Sequence, residues 1–293
     1  MTNQERLEQA VNALLKSYHA HDEIKQIGKT NLPAKENIVA LAKDIQVLLF
    51  PGLIKRETLE SLGLPYVVGQ KTVSILNQLQ SYIEQVLCWA ESQNGVDCKD
   101  SSGFASRVES IAYELIESLP VMRTILAEDV EAIYDCDPAA HSKKEIVFAY
   151  PGLQALSIHR IAHFLYIKEV PILPRIMSEY IHSVTGIDIH PGARLGKGTM
   201  IDHGTGIVIG ETAVIGDYVC LYQGVTLGAL SPAKDHRSTE RKRHPSIEDR
   251  VVIYAGATIL GGETVIGQGS IIGGNVWLTH SVPPNSRIYL DRE

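Results

Sequence analysis

DIHPGARLGKGTMIDHGTGIVIGETAVIGDYVCLYQGVTL, residues 188–227, returns a branched aliphatic residue at every sixth position and a small or β-branched one four places after it. The unit heads are Ile189, Leu195, Ile201, Ile209, Ile215 and Leu221; their companions are Ala193, Thr199, Thr205, Ala213, Val219 and Val225. A two-residue slip separates the third unit from the fourth. After an interruption the pattern resumes at Ile247 and Ile253, crosses an irregular seven-residue unit from Ile259 to Val265, and continues at Ile266 and Ile272. Self-similarity at this period predicts a β-solenoid, with short strands on flat faces and glycines or small polar residues at the corners. If three hexads close one 18-residue turn, each aliphatic stands above its counterpart in the turn below. A helical face would need three-to-four spacing, and each glycine here would weaken a helix by about 1 kcal/mol.

Outside this stretch the chain reads as helical. Phe104, Val108, Ile111, Leu115 and Leu119 form one helical stripe, which Pro120 is expected to end. Further helices are predicted near 4–19, 36–49, 69–91, 121–134, 152–168 and 174–184, punctuated by Pro51-Gly52, Gly63, Pro65, Pro151-Gly152 and Pro171. SQNGVDCKDSSG, residues 92–103, is polar and glycine-bearing and reads as a mobile loop. The predicted fold class is therefore α+β: an α-helical domain over 1–185, subdivided near 92–103, then a β-helix over 186–285 and a short tail, 286–293. A loop at 228–246 is inserted in the solenoid.

At 293 residues, with 44% hydrophobic content, the chain can bury two cores. Its net charge of −7 argues against nucleic acid as a partner. Cys88, Cys98, Cys136 and Cys220 match no metal-knuckle spacing and are expected to be free thiols in a reducing cytoplasm. Neither a signal peptide nor a membrane span is readable.

Polar residues on a solenoid displace stacking apolar surface and need hydrogen bonds, so three clusters stand out: Asp188 with His190, Asp202 with His203, and Arg243 with His244. Asp188 and His203 lie 15 residues apart, nearly one 18-residue turn, so the pair is expected to meet on successive turns. A carboxylate against an imidazole fixes its tautomer and stabilises the imidazolium formed on proton transfer, which suits deprotonation of an alcohol. Asp137, in DCDPAA, reads on local grounds as part of an ordinary helix-ending turn. His159 and His163 share a helix face with no glutamate between them and are read as structural. The insertion is locally basic, with Lys234, Arg237, Arg241, Lys242 and Arg243, and is either a solvated excursion or a cover over an anionic ligand.

Taken together and in order, the hexads, DIHPGA, DHGTGIVIGET, YQGVTLG, RHP and the upstream DPAA resemble the serine O-acetyltransferases, closely over about 135–285. The resemblance implies a left-handed parallel β-helix and a homotrimer with active sites between neighbouring subunits, with the pairing of trimers left open. The implied reaction is acetyl transfer from acetyl-CoA to L-serine, giving O-acetyl-L-serine for cysteine synthesis. It makes His203 the general base and Asp188 its partner, gives the serine ammonium to Asp137 and Asp202, and pairs the serine carboxylate with Arg243 beside His244. CoA is implied along Gly228, Ala229, Ala255 and Gly274, with no permanently bound cofactor and no metal, and L-cysteine is implied as a feedback inhibitor. Tyr254 stands where the family commonly has glycine, the insertion is longer and more charged than usual, and the charged C-terminal end implies no stable tail-mediated complex with cysteine synthase. Three other readings remain: acetylation of a sugar or homoserine, a metal hydratase using His190, His203 and His244, and a non-catalytic scaffold.

Overall fold

The computed structural model describes residues 1–21, 25, 32–52, 63–98, 102–230 and 242–290. Among the described residues seven helices precede fourteen short strands. The helices are α1 (Asn3–Ala20), α2 (Lys35–Leu49), α3 (Leu64–Gln93), α4 (Phe104–Cys136), α5 (Lys143–Ala149), α6 (Pro151–Ile167) and α7 (Leu173–Thr185). None of those described is long and apolar enough to cross a membrane.

The helices follow their apolar spacing. Helix α2 buries Ile38, Leu41, Ala42, Ile45 and Leu49, and α3 buries Ile75, Leu79, Ile83, Val86 and Leu87. Pro120 does not end a helix: α4 runs through it, because the buried stripe from Val108 to Leu119 continues as Met122, Leu126, Val130 and Ile133. That burial outweighs the one backbone bond proline cannot make. Helix α3 starts at Leu64, since Pro65 lies in the first turn where its missing N–H is no loss. Helix α5 was not foreseen; Ser142 caps it by accepting the Glu145 N–H.

The expectation of four free thiols is corrected by a Cys88–Cys98 disulfide. The chain reverses after α3 through Gly95, in the left-handed region at φ 76°, which returns Cys98 beside Cys88, five residues before the helix end, with 5.0 Å between the Cα atoms. Cys136 and Cys220 are free. Residues 99–101 of the predicted loop lie outside the described residues.

The solenoid has three parallel faces. Face A stacks β1 (Asp188–Ile189), β4 (Val208–Ile209), β7 (Thr226–Gly228), β10 (Thr258–Leu260) and β13 (Trp277–Leu278). Face B stacks β2 (Arg194–Leu195), β5 (Val214–Ile215), β8 (Ser246–Ile247) and β11 (Val265–Ile266). Face C stacks β3 (Met200–Asp202), β6 (Cys220–Tyr222), β9 (Val252–Ile253), β12 (Ile271–Ile272) and β14 (Arg287–Ile288). Aliphatic columns form as expected: the heads Ile189 and Ile209 stack with Leu227, Ile259 and Leu278, all buried on face A.

Turn length departs from the uniform 18 residues. Asp188 pairs with Val208, Val208 with Thr226, Thr226 with Thr258 and Thr258 with Trp277, so face A advances by 20, 18, 32 and 19 residues. The 32-residue step contains the insertion and the 19-residue step the irregular unit.

A buried ion pair joins helices to solenoid. Arg160 of α6 donates to both Asp129 oxygens, at 2.9 and 2.7 Å from one nitrogen, and to the Gly196 carbonyl at 3.0 Å. Asp129 of α4 also accepts the Thr199 N–H at 2.9 Å. Gly152 lets α6 close on the first turn: a Cβ there would lie 2.4 Å from the Ile201 carbonyl oxygen.

Candidate functional site

The corner from face C to face A, in the first turn, carries the two extra residues of the 20-residue step. His203 is at its tip, with φ 55°, and the Gly204 N–H donates to the Asp202 carbonyl at 2.6 Å around it. This tight three-residue turn is a strained arrangement for a non-glycine centre. It leaves the His203 side chain 72% exposed, with Nδ1 3.5 Å from Asp202 Oδ1. Asp137, at the C-terminus of α4, accepts the Tyr150 hydroxyl at 2.6 Å and the Ala139 N–H at 2.8 Å. The Tyr150 bond, then the Ala139 bond, hold the Asp137 carboxyl below its usual range, helped by the nearby charge of His203. The same bond pushes the Tyr150 phenol up to about 12.

The corner from face A to face B holds a second group. Arg243 forms an ion pair with Glu211, whose other oxygen accepts the Tyr166 hydroxyl at 2.5 Å. Burial would raise the Glu211 carboxyl, but the bonds from Tyr166 and Arg243 keep it lowered. The Thr212 N–H donates to His244 Nδ1 at 3.1 Å, so that nitrogen is the acceptor and the neutral ring carries its proton on Nε2. Burial, followed by the charge of Arg243, pushes His244 down to about 4. Gly210 is required beneath the ring: an added Cβ would lie 2.0 Å from His244 Cδ2.

The predicted residues thus divide between two edges of face A. Asp137, Asp202 and His203 gather at one corner, with Ala255 and Gly274 further up the same edge; Arg243, His244, Gly228 and Ala229 line the other. Asp188 opens β1, and its N–H donates to the Ile207 carbonyl, so its backbone adjoins the His203 corner. The expected Asp188–His203 contact is absent, because a 20-residue turn stacks Val208, not His203, on Asp188; the carboxylate nearest His203 is that of Asp202. His190 and His244 share the second corner, apart from His203. Among the described residues no group of three or more His, Cys, Asp or Glu could hold a metal ion.

Tyr254, beside Ala255, is exposed and stacks on Tyr222 with ring centroids 5.1 Å apart. Lys242 donates to the carbonyls of Thr212 and His244; Lys234, Arg237 and Arg241 lie outside the described residues, as do 291–293 of the tail. A cavity of about 660 Å³ beside the second corner is lined by Ala229, Leu230, Lys242, Arg243, Gly262 and His280, among others. Sequence reading missed Glu211, Tyr166 and Tyr150. Only Glu211 had a signal, an acidic residue in a hexad corner.

The helical region buries His159, whose imidazole is pushed well down by burial. His163 meets the Pro191 carbonyl at 2.7 Å. Both sit in packing, as the structural reading of the pair holds.

No protein-family model matches the chain. It is 45% identical over 260 residues to a plasmid-borne serine acetyltransferase of Synechococcus elongatus, covering 88% of this chain and 81% of that one. It is 46% identical over 164 residues to the serine acetyltransferase of Bacillus subtilis, covering 56% of this chain and 72% of the relative. Among solved structures it resembles serine acetyltransferase isoform 3 of Entamoeba histolytica in complex with cysteine, at TM-score 0.73 and 33% identity, covering 99% and 94% of the two chains. It also resembles the soybean serine acetyltransferase complexed with serine, at TM-score 0.55 and 30% identity over 87% and 96%.

Proposed function

This chain belongs to the serine acetyltransferase family, and from that membership we propose a direct transfer of acetyl from acetyl-CoA to the serine hydroxyl, with His203 as general base. What carries the reading is the corner geometry: an exposed imidazole on a strained turn, with the Asp202 and Asp137 carboxylates beside it. His203 takes the hydroxyl proton as the serine oxygen bonds to the thioester carbonyl carbon. The tetrahedral intermediate then expels sulfur, and the imidazolium returns the proton to give CoA thiol and O-acetyl-L-serine.

A zwitterionic amino acid needs anions at one end and a cation at the other. Asp137 and Asp202 take the ammonium, Arg243 the carboxylate, and neutral His244 offers its Nε2–H. Asp188, whose backbone adjoins the His203 corner, is the second acid that would steady the imidazolium once the ammonium occupies Asp202. Because the two groups border opposite edges of face A, the site is completed between neighbours in a homotrimer, where one chain's first edge meets the next chain's second. CoA runs along the same seam, past Gly228 and Ala229 on one chain and Ala255 and Gly274 on the other. L-cysteine shares the ammonium and carboxylate of serine and competes for these residues; relatives have been solved with cysteine and with serine.

The test is release of free thiol from acetyl-CoA, with L-serine or L-homoserine as acceptor. L-Serine is expected to be preferred, and His203→Ala to lower kcat by roughly 100- to 10,000-fold. Equal rates with homoserine, or a variant within a few-fold of the parent, would reject the assignment.

A further inference from the structure

Tyr150 lies between α5 and α6, is half-buried, and directs its hydroxyl to Asp137 Oδ2 at 2.6 Å. We propose that Tyr150 is a positioning residue for the serine ammonium: it fixes the Asp137 carboxylate, at the end of one helix, against the Asp202 and His203 corner of the solenoid. The proposal rests on Asp137 receiving the ammonium.

Three observations meet at this tyrosine. Asp137 follows the last turn of α4, outside the helix, where a carboxylate on an extended backbone has no intrinsic preference for one rotamer. Its two oxygens are held separately, Oδ1 by the Ala139 N–H and Oδ2 by Tyr150, so the plane of the carboxylate is set by two directed bonds. The tyrosine is itself anchored: its N–H donates to the Ile146 carbonyl at 3.0 Å, and Gly152, two residues on, lies against the carbonyl of Ile201, the residue before Asp202. The segment Tyr150-Pro151-Gly152 is therefore a strap that sets the distance between two carboxylates 65 positions apart in the chain. The Asp202 charge reaches Tyr150, and the His203 charge reaches Asp137.

A hydroxyl is the right group for this task. It neutralises none of the negative charge that attracts an ammonium, leaves carboxylate lone pairs open, and keeps the acid ionised. A lysine or arginine there would cancel the charge. A phenylalanine would keep the packing and release the carboxylate.

The experiment compares Tyr150→Phe, Asp137→Asn and the double variant, following KM for serine and for acetyl-CoA, kcat, and the acid limb of kcat/KM for serine. Tyr150→Phe is expected to raise the serine KM about tenfold, as for loss of a bond to a charged group, and to leave the acetyl-CoA KM unchanged. The acid limb should move to higher pH, because Asp137 loses the main bond that keeps it ionised. In the Asp137→Asn background the same change should add little. If Asp137→Asn raises the serine KM while Tyr150→Phe changes neither KM nor the acid limb, the positioning role is wrong and the ammonium assignment stands. If Asp137→Asn itself leaves the serine KM unchanged, the assignment beneath the proposal falls and takes it along. A parallel rise in both KM values with a lowered melting temperature would assign Tyr150 to packing and overturn the proposal.

Discussion

His203 owes its exposure to two added residues. Without them the corner would close as a single glycine, as the higher turns of the same edge do at Gly224 and Gly256, both at positive φ. The expansion puts a non-glycine residue at φ 55° and turns its ring away from the stack. At the other edge His244 has the opposite environment, buried and accepting from Thr212. Its pKa is depressed to about 4 from an ordinary 6.5, so between those values the unfolded chain binds a proton that the folded chain refuses. The His244 contribution to stability is therefore present above about pH 6.5 and is lost as pH falls toward 4. Histidine NMR should find the His244 ring neutral, protonated on Nε2, at pH 5.5; a midpoint near 6.5 would contradict the geometry.

Helix α4 and the first turn show what could be read from the chain and what could not. The solenoid was legible because a six-residue period with aliphatic heads has one good physical solution, and those heads form the buried columns. Pro120 misled, since the rule that proline ends helices competes with burial of the same stripe on both sides of it. Asp129 and Arg160 gave no signal: a pair separated by 31 residues is joined only when α4 and α6 pack together on β3. The uniform 18-residue turn failed for a similar reason. The two-residue slip between the third and fourth units, at 207–208, was visible, but its consequence for which residue stacks on Asp188 needed the register. At this scale the buried pair makes a strong prediction. Asp129→Ala leaves the Arg160 guanidinium uncompensated and the Thr199 N–H without its acceptor, and should cost about 3–5 kcal/mol in denaturant unfolding. A loss below about 1 kcal/mol would show that this contact does not hold helices to solenoid.

Across the whole molecule, the predicted site residues divide between two edges of face A. One chain carries His203, Asp202 and Asp137 at one edge and Arg243 and His244 at the other, with the length of one face A strand between them. In the homotrimer proposed above, each rotation would bring unlike edges together and complete a site that an isolated chain leaves half-built. Why the columns fold was legible in the sequence, and a site shared between subunits was implied by the family resemblance; which residues fall on which edge was not legible, because the predicted residues recur on neighbouring turns and their placement needed the register.

Mixing His203→Ala chains with Arg243→Ala chains tests the shared site most directly. Each variant alone should be nearly inactive. Unfolded together in equal amounts and reassembled, about a quarter of the seams should pair an intact His203 edge with an intact Arg243 edge, restoring about a quarter of the parent activity if subunits mix at random. Activity that stays at the level of the separate variants, in trimers shown to contain both chains, would mean that each chain builds its site alone.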